Sequence, residues 1–308
     1  MEITVVGSGE VGLRWAQALV EHPGYEVRVV DPKPPAAALE WAEQSGLRIE
    51  PEMAERMHGQ EVVLVCVPGF VLPAVFETLR RSVGAGSTIV DLTTAAAQAK
   101  RDAAAEAQRL GIGYIDIAIT GAVALTGVRT PLLYAGFRNN AVEEILQAVG
   151  APVRVLPDSS PGDAVTVKLL RSVIMKGLEA LAVEALPAAR AYGVLDQFCD
   201  VLGDVNKAPF VDLLKSMVTT HPLHSLRRHA EVLEAADQLE QVGYPATLTA
   251  RVAERYADAA DRAKTAPPAN ATFDAALDWF DPQAAPGSDG IPALQPEHEN
   301  ETARKVTA

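Results

Sequence analysis

The fold is decided by the stretch GSGEVG at residues 7–12, within the N-terminal sequence MEITVVGSGEVGLRWAQAL (1–19). Its three glycines follow the apolar run ITVV (3–6) and open an amphipathic helical run. The first glycine permits a tight turn, the second lets a ligand approach the backbone, and the third lets the helix pack closely. A second strand-like run ends in Asp31, 19 residues after Gly12. This order predicts a dinucleotide-binding βαβ unit, and the alternative is an ordinary packing corner followed by a loop acid.

The glycine turn and the acid together favour NAD as the cofactor. The helix behind the turn offers free N–H groups and a partial positive charge to the phosphates. Asp31 can accept hydrogen bonds from both ribose hydroxyls, and its charge repels a 2′-phosphate. The positive charge of Lys33 can offset part of that repulsion, so NADP remains an alternative cofactor. The cofactor-binding residues predicted in this region are Gly7, Ser8, Gly9, Glu10, Val11, Gly12, Asp31 and Lys33.

The first half of the chain alternates between strand-like and helical segments. Apolar, β-branched runs separated by helices predict a parallel sheet that is covered on both faces. The runs are ITVV (3–6), EVRVV (26–30), EVVLVCV (61–67), STIVDL (87–92), IGYIDI (112–117), PLLYAG (131–136) and PVRVL (152–156). From residue 162 the pattern is helical throughout, and Pro222 predicts a break between helices over 206–219 and 224–242.

These segments predict an α/β Rossmann domain followed by an all-α domain, joined by a long inter-domain helix. We place the Rossmann domain at residues 1–160 and the helical substrate and dimerisation domain at 161–264. A Pro/Ala-rich tail follows at 265–308, with a short helix around 272–280.

Composition narrows the classes of partner. The formal net charge of −13 argues against nucleic acid and anionic membranes, although local Lys and Arg residues still permit a small anionic substrate. Two distant cysteines, Cys66 and Cys199, favour a reducing compartment, and no membrane-spanning or export segment is expected, so the predicted location is cytoplasmic. The stretch HPLHSLRRHAEVLE (221–234) lacks metal-ligand spacing, so no metal is predicted. The stretch fits the wall of a pocket for an anionic substrate, or a subunit contact.

Four further motifs follow the glycine turn. They are CVP (66–68), DLTT (91–94), DIAITGA (116–122) and GDAVTVKLLRS (162–172). Together the motifs resemble the β-hydroxyacid dehydrogenases, a family related to 6-phosphogluconate dehydrogenase. The resemblance covers about residues 1–260 and is stronger to a branch with a distinctive C-terminal helical domain, similar at RTPLLYAG (129–136) and KLLRSVIMKGLEAL (168–181). It implies a homodimer.

The resemblance also assigns roles. It implies that Cys66, Val67 and Pro68 cover the cofactor, although Cys66 also suits a small buried apolar side chain. Thr93 and Thr94 would meet the nicotinamide or the substrate, or one of them would cap the following helix. The resemblance further implies that Thr120, Gly121 and Ala122 bind the substrate carboxylate, although they also suit a plain turn. The family usually has Ser and Gly where Thr120 and Ala122 stand.

Lys168 is the residue that the resemblance makes catalytic. A lysine facing a cleft can donate a proton to a developing oxyanion or accept one in the reverse direction. Burial lowers its pKa toward the working range. The alternative is a surface lysine that extends its ammonium group into water.

Other residues of the same helix are candidate substrate ligands. They are Arg171, Ser172, Lys176 and Glu179. Helical spacing places residues 168, 172, 175 and 179 on one face, and Arg171 can bind a carboxylate with two hydrogen bonds. Alternatively, the charged members pair with one another as structural residues.

Three functions remain open. The first is an NAD(P)-dependent dehydrogenase that transfers a hydride between the cofactor and a small hydroxy acid or sugar-derived acid, with Lys168 as general acid/base. The second keeps the scaffold as an imine reductase or oxidative decarboxylase, although imine reductases of this architecture generally lack the lysine. The third is a non-catalytic NAD-binding sensor.

Overall fold

The computed structural model describes residues 1–53 and 61–281, so the predicted tail lies outside the described residues from residue 282 onward. The chain divides into two compact units, Met1–Met175 and Lys176–Ala308. The predicted domain boundaries near residues 160 and 264 stay a prediction. Within the described residues, no helix has the length and apolar character needed to cross a membrane.

The first unit alternates strands and helices. Its elements are β1 (Glu2–Val6), α1 (Glu10–Val20), β2 (Glu26–Val30), α2 (Ala36–Ser45), β3 (Ile49–Glu50), β4 (Val62–Val65), α3 (Leu72–Ser82), β5 (Thr88–Asp91), α4 (Ala97–Arg109), β6 (Gly113–Ile119), α5 (Val123–Thr126), β7 (Leu132–Ala135), α6 (Asn140–Ala148) and β8 (Val153–Val155). The long helix α7 (Asp163–Ala191) begins here. The helices that follow it are α8 (Leu195–Leu202), α9 (Phe210–Gln241), α10 (Thr247–Thr265) and α11 (Phe273–Phe280).

One sheet organises the first unit, in the order β3-β2-β1-β4-β5-β6-β7-β8. The strands β1 to β6 pair in parallel. The carboxyl ends of β1, β2, β4, β5 and β6 therefore share one edge, and the loops that follow these strands converge there. In open α/β sheets this edge is where ligands bind.

Alternating side chains build a core on each face of the sheet. In β4, Val62 and Leu64 join the core with Trp15 of α1, whereas Val63 and Val65 join the core with Phe76 of α3. Because both faces of the sheet are buried, the central strand β4 (VVLV) is apolar along its whole length instead of alternating between apolar and polar residues. The predicted α/β fold with a helical second part is confirmed.

Three details differ from the sequence predictions. β7 pairs antiparallel with β6, since residues 120–131 return the chain without a crossover. The two-residue edge strand β3 was not predicted because it is too short to carry a pattern. The predicted break at Pro222 is wrong, because α9 continues through that buried proline. The proline removes one backbone hydrogen bond, and the packing of this 32-residue helix along α10 offsets that loss.

Glu61 directly precedes β4 and carries a buried carboxyl group, whose Oε2 atom has no hydrogen-bond partner among the described residues. Burial and, to a smaller extent, the neighbouring Glu2 carboxyl group together raise its pKa to about 7. The folded-state pKa therefore lies above the unfolded one. The stability that Glu61 contributes is present in acid and is lost as pH rises toward 7.

We expect Glu61→Gln to raise the melting temperature by about 2–5 °C at pH 8 and to leave it nearly unchanged at pH 4.5. The amide stays neutral, so it avoids the cost of ionising a buried carboxyl group. Calorimetric melting curves across this pH range measure the difference. The control is Glu43→Gln on an exposed position of α2. A gain that does not depend on pH would contradict the assignment.

Candidate active site

The glycine turn leaves the N-terminus of α1 open to a ligand. Gly7 has φ +92°, and a Cβ atom there would lie 2.8 Å from the carbonyl oxygen of Cys66. A Cβ on Gly12 would lie 1.8 Å from the carbonyl oxygen of Gly7, so the helix and the turn can pack only with glycine. A Cβ on Gly9 meets nothing within 4 Å, which leaves space beside the backbone for phosphate groups.

Asp31 joins the end of β2 to this turn. Its Oδ2 atom accepts hydrogen bonds from the backbone N–H of Ser8 at 2.7 Å and from the Ser8 hydroxyl at 2.8 Å. Its Oδ1 atom accepts one from the backbone N–H of Lys33 at 2.8 Å. A carboxylate oxygen accepts two hydrogen bonds, so Oδ1 retains capacity for a ribose hydroxyl.

A cavity of about 710 Å³ lies beside the glycine turn at this edge of the sheet. That volume is in the range of small-molecule and cofactor sites. Seven of the predicted cofactor residues line it, namely Gly7, Gly9, Asp31, Lys33, Cys66, Val67 and Pro68. The cavity is also lined by the apolar side chains of Met53, Val71, Val75 and Leu79, which suit a flat aromatic base.

The remaining predicted cofactor residues do not line this cavity. Ser8 is buried beneath the turn, Val11 packs against the core, and Glu10 is exposed in the first turn of α1. Thr93 and Thr94 belong to the neighbouring loop after β5. Burial raises the pKa of the Cys66 thiol, and Asp91 raises it further, so the thiol stays protonated at neutral pH.

The residue after the CVP motif is a glycine that the sequence analysis did not single out. A Cβ on Gly69 would lie 2.5 Å from the carbonyl oxygen of Thr94. Only glycine therefore lets the loop after β4 lie against the loop after β5. The feature could have been found in the sequence, since this glycine directly follows the proline of the motif.

The two threonines after β5 have different partners. The hydroxyl of Thr93 is buried and accepts a hydrogen bond from the backbone N–H of Ala95 at 3.2 Å. The hydroxyl of Thr94 accepts one from the Nζ atom of Lys168 at 2.7 Å. The first threonine is thus occupied in the loop before α4, and the second meets the lysine that the resemblance makes catalytic.

Lys168 is half-buried on the first part of α7. Burial lowers the pKa of its ammonium group, the positive charge of Lys100 lowers it further, and Asp116 opposes the change. A larger neutral fraction is what a lysine needs to accept a proton near neutral pH.

A buried charge network lies behind this lysine, and its centre was not among the residues predicted from the sequence. Lys100 of α4 is fully buried, and its Nζ atom lies 2.7 Å from Oδ1 of Asp116 and 3.4 Å from Oδ2 of Asp91. The hydroxyl of Tyr114 donates to Oδ2 of Asp91 at 2.5 Å. Lys100 shares the buried face of α4 with Ala103 and Ala107, and a lysine on an apolar face is the signal that could have revealed it.

Asp116 links the network to the helix that carries Lys168. Its Oδ2 atom accepts hydrogen bonds from the backbone N–H groups of Gly162 at 3.0 Å and Val165 at 3.1 Å. The first N–H groups of a helix have no partner within the helix, so this carboxylate satisfies two of them at the start of α7. One side chain of β6 thereby fixes where α7 begins.

Residues 2–157, just over half of the chain, match the family described as the NAD binding domain of 6-phosphogluconate dehydrogenase. The chain belongs to this family. Its first unit is therefore the NAD(P)-binding part of a 6-phosphogluconate dehydrogenase-type oxidoreductase fold. Residues 189–259 match a second family, described as a domain of unknown function.

Two relatives are similar to parts of the chain. An uncharacterized 28.5 kDa protein of Methanothermus fervidus is 33% identical over 121 residues, which are 39% of this chain and 46% of that protein. The chain thus spans under half the length of that relative. An uncharacterized oxidoreductase of Shewanella frigidimarina is 25% identical over 206 residues, covering 63% of this chain and 67% of the relative.

A solved structure shares the fold over most of the chain. It is an imine reductase from Aspergillus terreus in complex with NADPH4 and dibenz[c,e]azepine, with a TM-score of 0.68. The identity is 19%, and the match covers 85% of this chain and 94% of that protein. At this identity the likeness concerns the fold alone.

The substrate-binding residues predicted for this chain fall into two groups. Thr120, Gly121 and Ala122 follow β6, at the edge of the sheet where the carboxyl ends of the parallel strands lie. The Thr120 hydroxyl donates to the carbonyl oxygen of Pro131 at 2.9 Å. On α7, Arg171 is exposed, and the Ser172 hydroxyl donates to the carbonyl oxygen of Lys168 at 3.0 Å. Lys176 and Glu179 belong to the second unit, where they form an exposed ion pair. Their roles in binding stay predictions.

We expect Asp116→Asn to lower the free energy of unfolding by about 3–5 kcal/mol, because it leaves the buried Lys100 ammonium without its closest anion. Denaturant unfolding followed by circular dichroism measures the loss. Asp102→Asn serves as the control, since Asp102 is exposed on the same helix as Lys100 and should change stability by under about 0.5 kcal/mol. Equal effects from the two substitutions would refute the role of the network.

Proposed function

We propose that the protein is an NAD-linked dehydrogenase that interconverts a small hydroxy acid, or sugar-derived acid, and its carbonyl form. The observation that carries the proposal is the hydrogen bond from Lys168 Nζ to Thr94 Oγ1, at 2.7 Å. It joins a lysine of lowered pKa to a hydroxyl at the end of β5, at the ligand-binding edge of the sheet.

The first unit has the features that a dinucleotide requires. The open space at Gly9 and the N-terminus of α1 suit the pyrophosphate, and the free capacity of Asp31 Oδ1 suits an adenine-ribose hydroxyl. When bound, the nicotinamide accepts or supplies the hydride. The charge of Asp31 favours NAD over NADP. Lys33 contributes the opposing charge at the same cavity.

Lys168 is the proposed general acid and base. As a neutral amine it accepts the proton of the substrate hydroxyl while the carbinol carbon loses its hydride. As an ammonium group it donates that proton back to the carbonyl oxygen in reduction. Thr94 holds the Nζ atom in place and can pass its hydrogen bond to the substrate oxygen.

The loop after β6 is the proposed carboxylate site. The Thr120 hydroxyl already donates to the carbonyl oxygen of Pro131, so the donors that remain are the backbone N–H groups of Gly121 and Ala122. Arg171 is exposed and forms no ion pair within the described ranges, so it is available to a substrate carboxylate. Ser172 lies one turn beyond Lys168 and is the proposed neighbour of the reacting group.

Imine reduction is the second candidate, since imine reductases share the fold. A carbon–oxygen substrate is favoured because its hydroxyl must lose a proton as the hydride leaves, and Lys168 is placed to accept one. Oxidative decarboxylation stays an alternative on the same scaffold. A cofactor-binding sensor would not need a lysine with a lowered pKa beside a threonine hydroxyl.

We expect Lys168→Met to lower kcat/KM by about 10²–10⁴-fold and to leave the Kd for NADH within about twofold of the wild-type value. In the wild-type protein, oxidation of the hydroxy acid should accelerate as pH rises through a pKa below the usual lysine value, because the neutral amine is the base. This limb of the profile should disappear in the variant. A panel of hydroxy acids and sugar acids, assayed with NAD and with NADP through absorbance of the reduced nicotinamide, measures both.

Lys264→Met is the matched control, since Lys264 forms an exposed ion pair with Asp261 on α10. It should retain full activity. Undiminished turnover by Lys168→Met would overturn the assigned role. Turnover of cyclic imines alone would favour the reductase, and NADH binding with no turnover on any substrate would favour the sensor. A higher kcat/KM with NADP than with NAD would contradict the cofactor preference.

We also propose that the protein is a cytoplasmic homodimer. Several large apolar side chains of α7 are exposed, including Leu170 at 64% and Val173 at 68%. An apolar surface of this kind on a helix favours burial against a second copy. Both cysteines are free, as a reducing compartment requires.

Sedimentation velocity at micromolar concentration should give twice the chain mass of 32.6 kDa. Placing charges on the apolar surface with the double substitution Leu170→Lys and Val173→Lys should shift the protein to the monomer. Leu39→Lys, at an exposed apolar position of α2, is the control and should not change the mass. A monomeric wild-type protein would contradict the proposal.

A further inference from the structure

A second cavity lies wholly within the second unit, where α9, α10 and α11 meet. Its volume is about 560 Å³. The lining residues are Met217, Val218, His221, Arg228, Arg255, Tyr256, Leu277 and Phe280. Most of them lie in the segment that matches a domain of unknown function.

The polar part of this cavity is positively charged. Arg228 donates to the hydroxyl of Thr220 at 3.0 Å, and the guanidinium of Arg255 lies 5.7 Å from the ring centre of Phe280. Neither arginine forms an ion pair with a carboxylate in the part of the chain that the structure describes. Two such cations in one cavity stand out in a chain with a net charge of −13.

His221 adds an unsatisfied polar atom to the same cavity. Its ring stacks on Tyr256 with centroids 4.4 Å apart and meets the ring of Phe280 edge-on at 5.5 Å. Its Nε2 atom is buried and has no hydrogen-bond partner among the described residues. A buried polar atom without a hydrogen-bond partner is unfavourable, so a ligand that supplies one would be stabilised here.

The surroundings of His221 keep the ring neutral. Burial lowers its pKa, the charges of Arg228 and Arg255 lower it further, and the backbone of Arg255 opposes the change. A neutral imidazole can donate one hydrogen bond from Nε2. A single anionic group of a ligand could therefore accept hydrogen bonds from this ring N–H and from both guanidinium groups. Stacking of arginines on aromatic rings would explain the cations alone, but it would leave the ring nitrogen unpaired.

The rest of the lining is apolar. Met217, Val218 and Leu277 face the cavity along with the aromatic rings. A bare inorganic anion would use the charges and leave this surface in contact with water. An organic anion with an aromatic or branched body would bury it as well.

We propose that this cavity binds a small organic carboxylate, with its anionic group held by Arg228, Arg255 and His221 and its apolar body against Met217, Val218 and Leu277. The site belongs to the second unit, and its residues are separate from those assigned to the dehydrogenase reaction. It is a ligand site of the helical unit in its own right.

Calorimetric titration of the full chain with benzoate tests the proposal. Benzoate should bind with one site per chain. Its neutral counterpart benzamide should bind at least about tenfold more weakly, because it lacks the charge that the two arginines pair with. Inorganic phosphate should also bind more weakly than benzoate, since it buries no apolar surface.

Variants locate the binding in this cavity. Arg228→Gln and Arg255→Gln should each weaken benzoate binding at least about tenfold. Arg251→Gln is the matched control, because Arg251 lies on the same helix as Arg255 in an exposed ion pair with Glu254. Unchanged binding in the two cavity variants would overturn the proposal by showing that benzoate binds elsewhere.

A spectroscopic measurement on the unsubstituted protein makes the test independent of how the variants fold. Nitrogen-15 spectra of the histidine rings, assigned with His221→Phe, should show the His221 Nε2 signal shifting as benzoate is added. An absence of benzoate binding, equal binding of benzamide, or an unshifted His221 signal at saturation would each refute the site.

Discussion

The carboxylate of Asp116 is the interaction on which the candidate active site depends. One of its oxygens forms an ion pair with the buried Lys100, and the other accepts hydrogen bonds from two backbone N–H groups at the start of α7. A buried carboxylate and ammonium are stable only when both are paired and hydrogen-bonded, so the geometry around them is tightly constrained. That constraint connects β6, α4 and α7 at one point. Lys168 lies one turn further along α7, so its approach to Thr94 follows from where Asp116 holds the helix.

The same network shapes the chemistry of Lys168 as well as its position. Lys100 lowers the pKa of Lys168, and Asp116 opposes that change. Tyr114 and the Thr93 backbone share the carboxylate of Asp91, so the loop that presents Thr94 is anchored to the same buried charges. A buried network of this kind provides a fixed electrostatic environment, because its members have little freedom to reorient. The proposed dehydrogenase reaction needs such an environment for its proton transfer.

The second unit presents a different set of constraints. Its helices are long and are stabilised by packing, as the uninterrupted passage of α9 through Pro222 shows. Glu184 of α7 accepts hydrogen bonds from the backbone N–H groups of Leu248 and Thr249, and so caps the start of α10 from a distant part of the chain. The cavity around His221 has two arginines without carboxylate partners among the described residues, in a chain that is otherwise strongly acidic. The two units therefore support two separate binding proposals.

The sequence by itself determined the order of strands and helices in the first unit apart from β3, the glycine turn with Asp31, and the motifs around Thr94, Thr120 and Lys168. These features are local, because a turn, a strand or a helix face is specified by residues close together in the chain. The tertiary structure alone decided which threonine meets Lys168, that Gly69 brings two loops into contact, and that Lys100 is buried between two aspartates. It also decided that Arg255 of α10 lines the same cavity as His221 of α9. Each of these contacts joins residues from different elements, and their distances depend on how helices and strands pack, which no local pattern encodes.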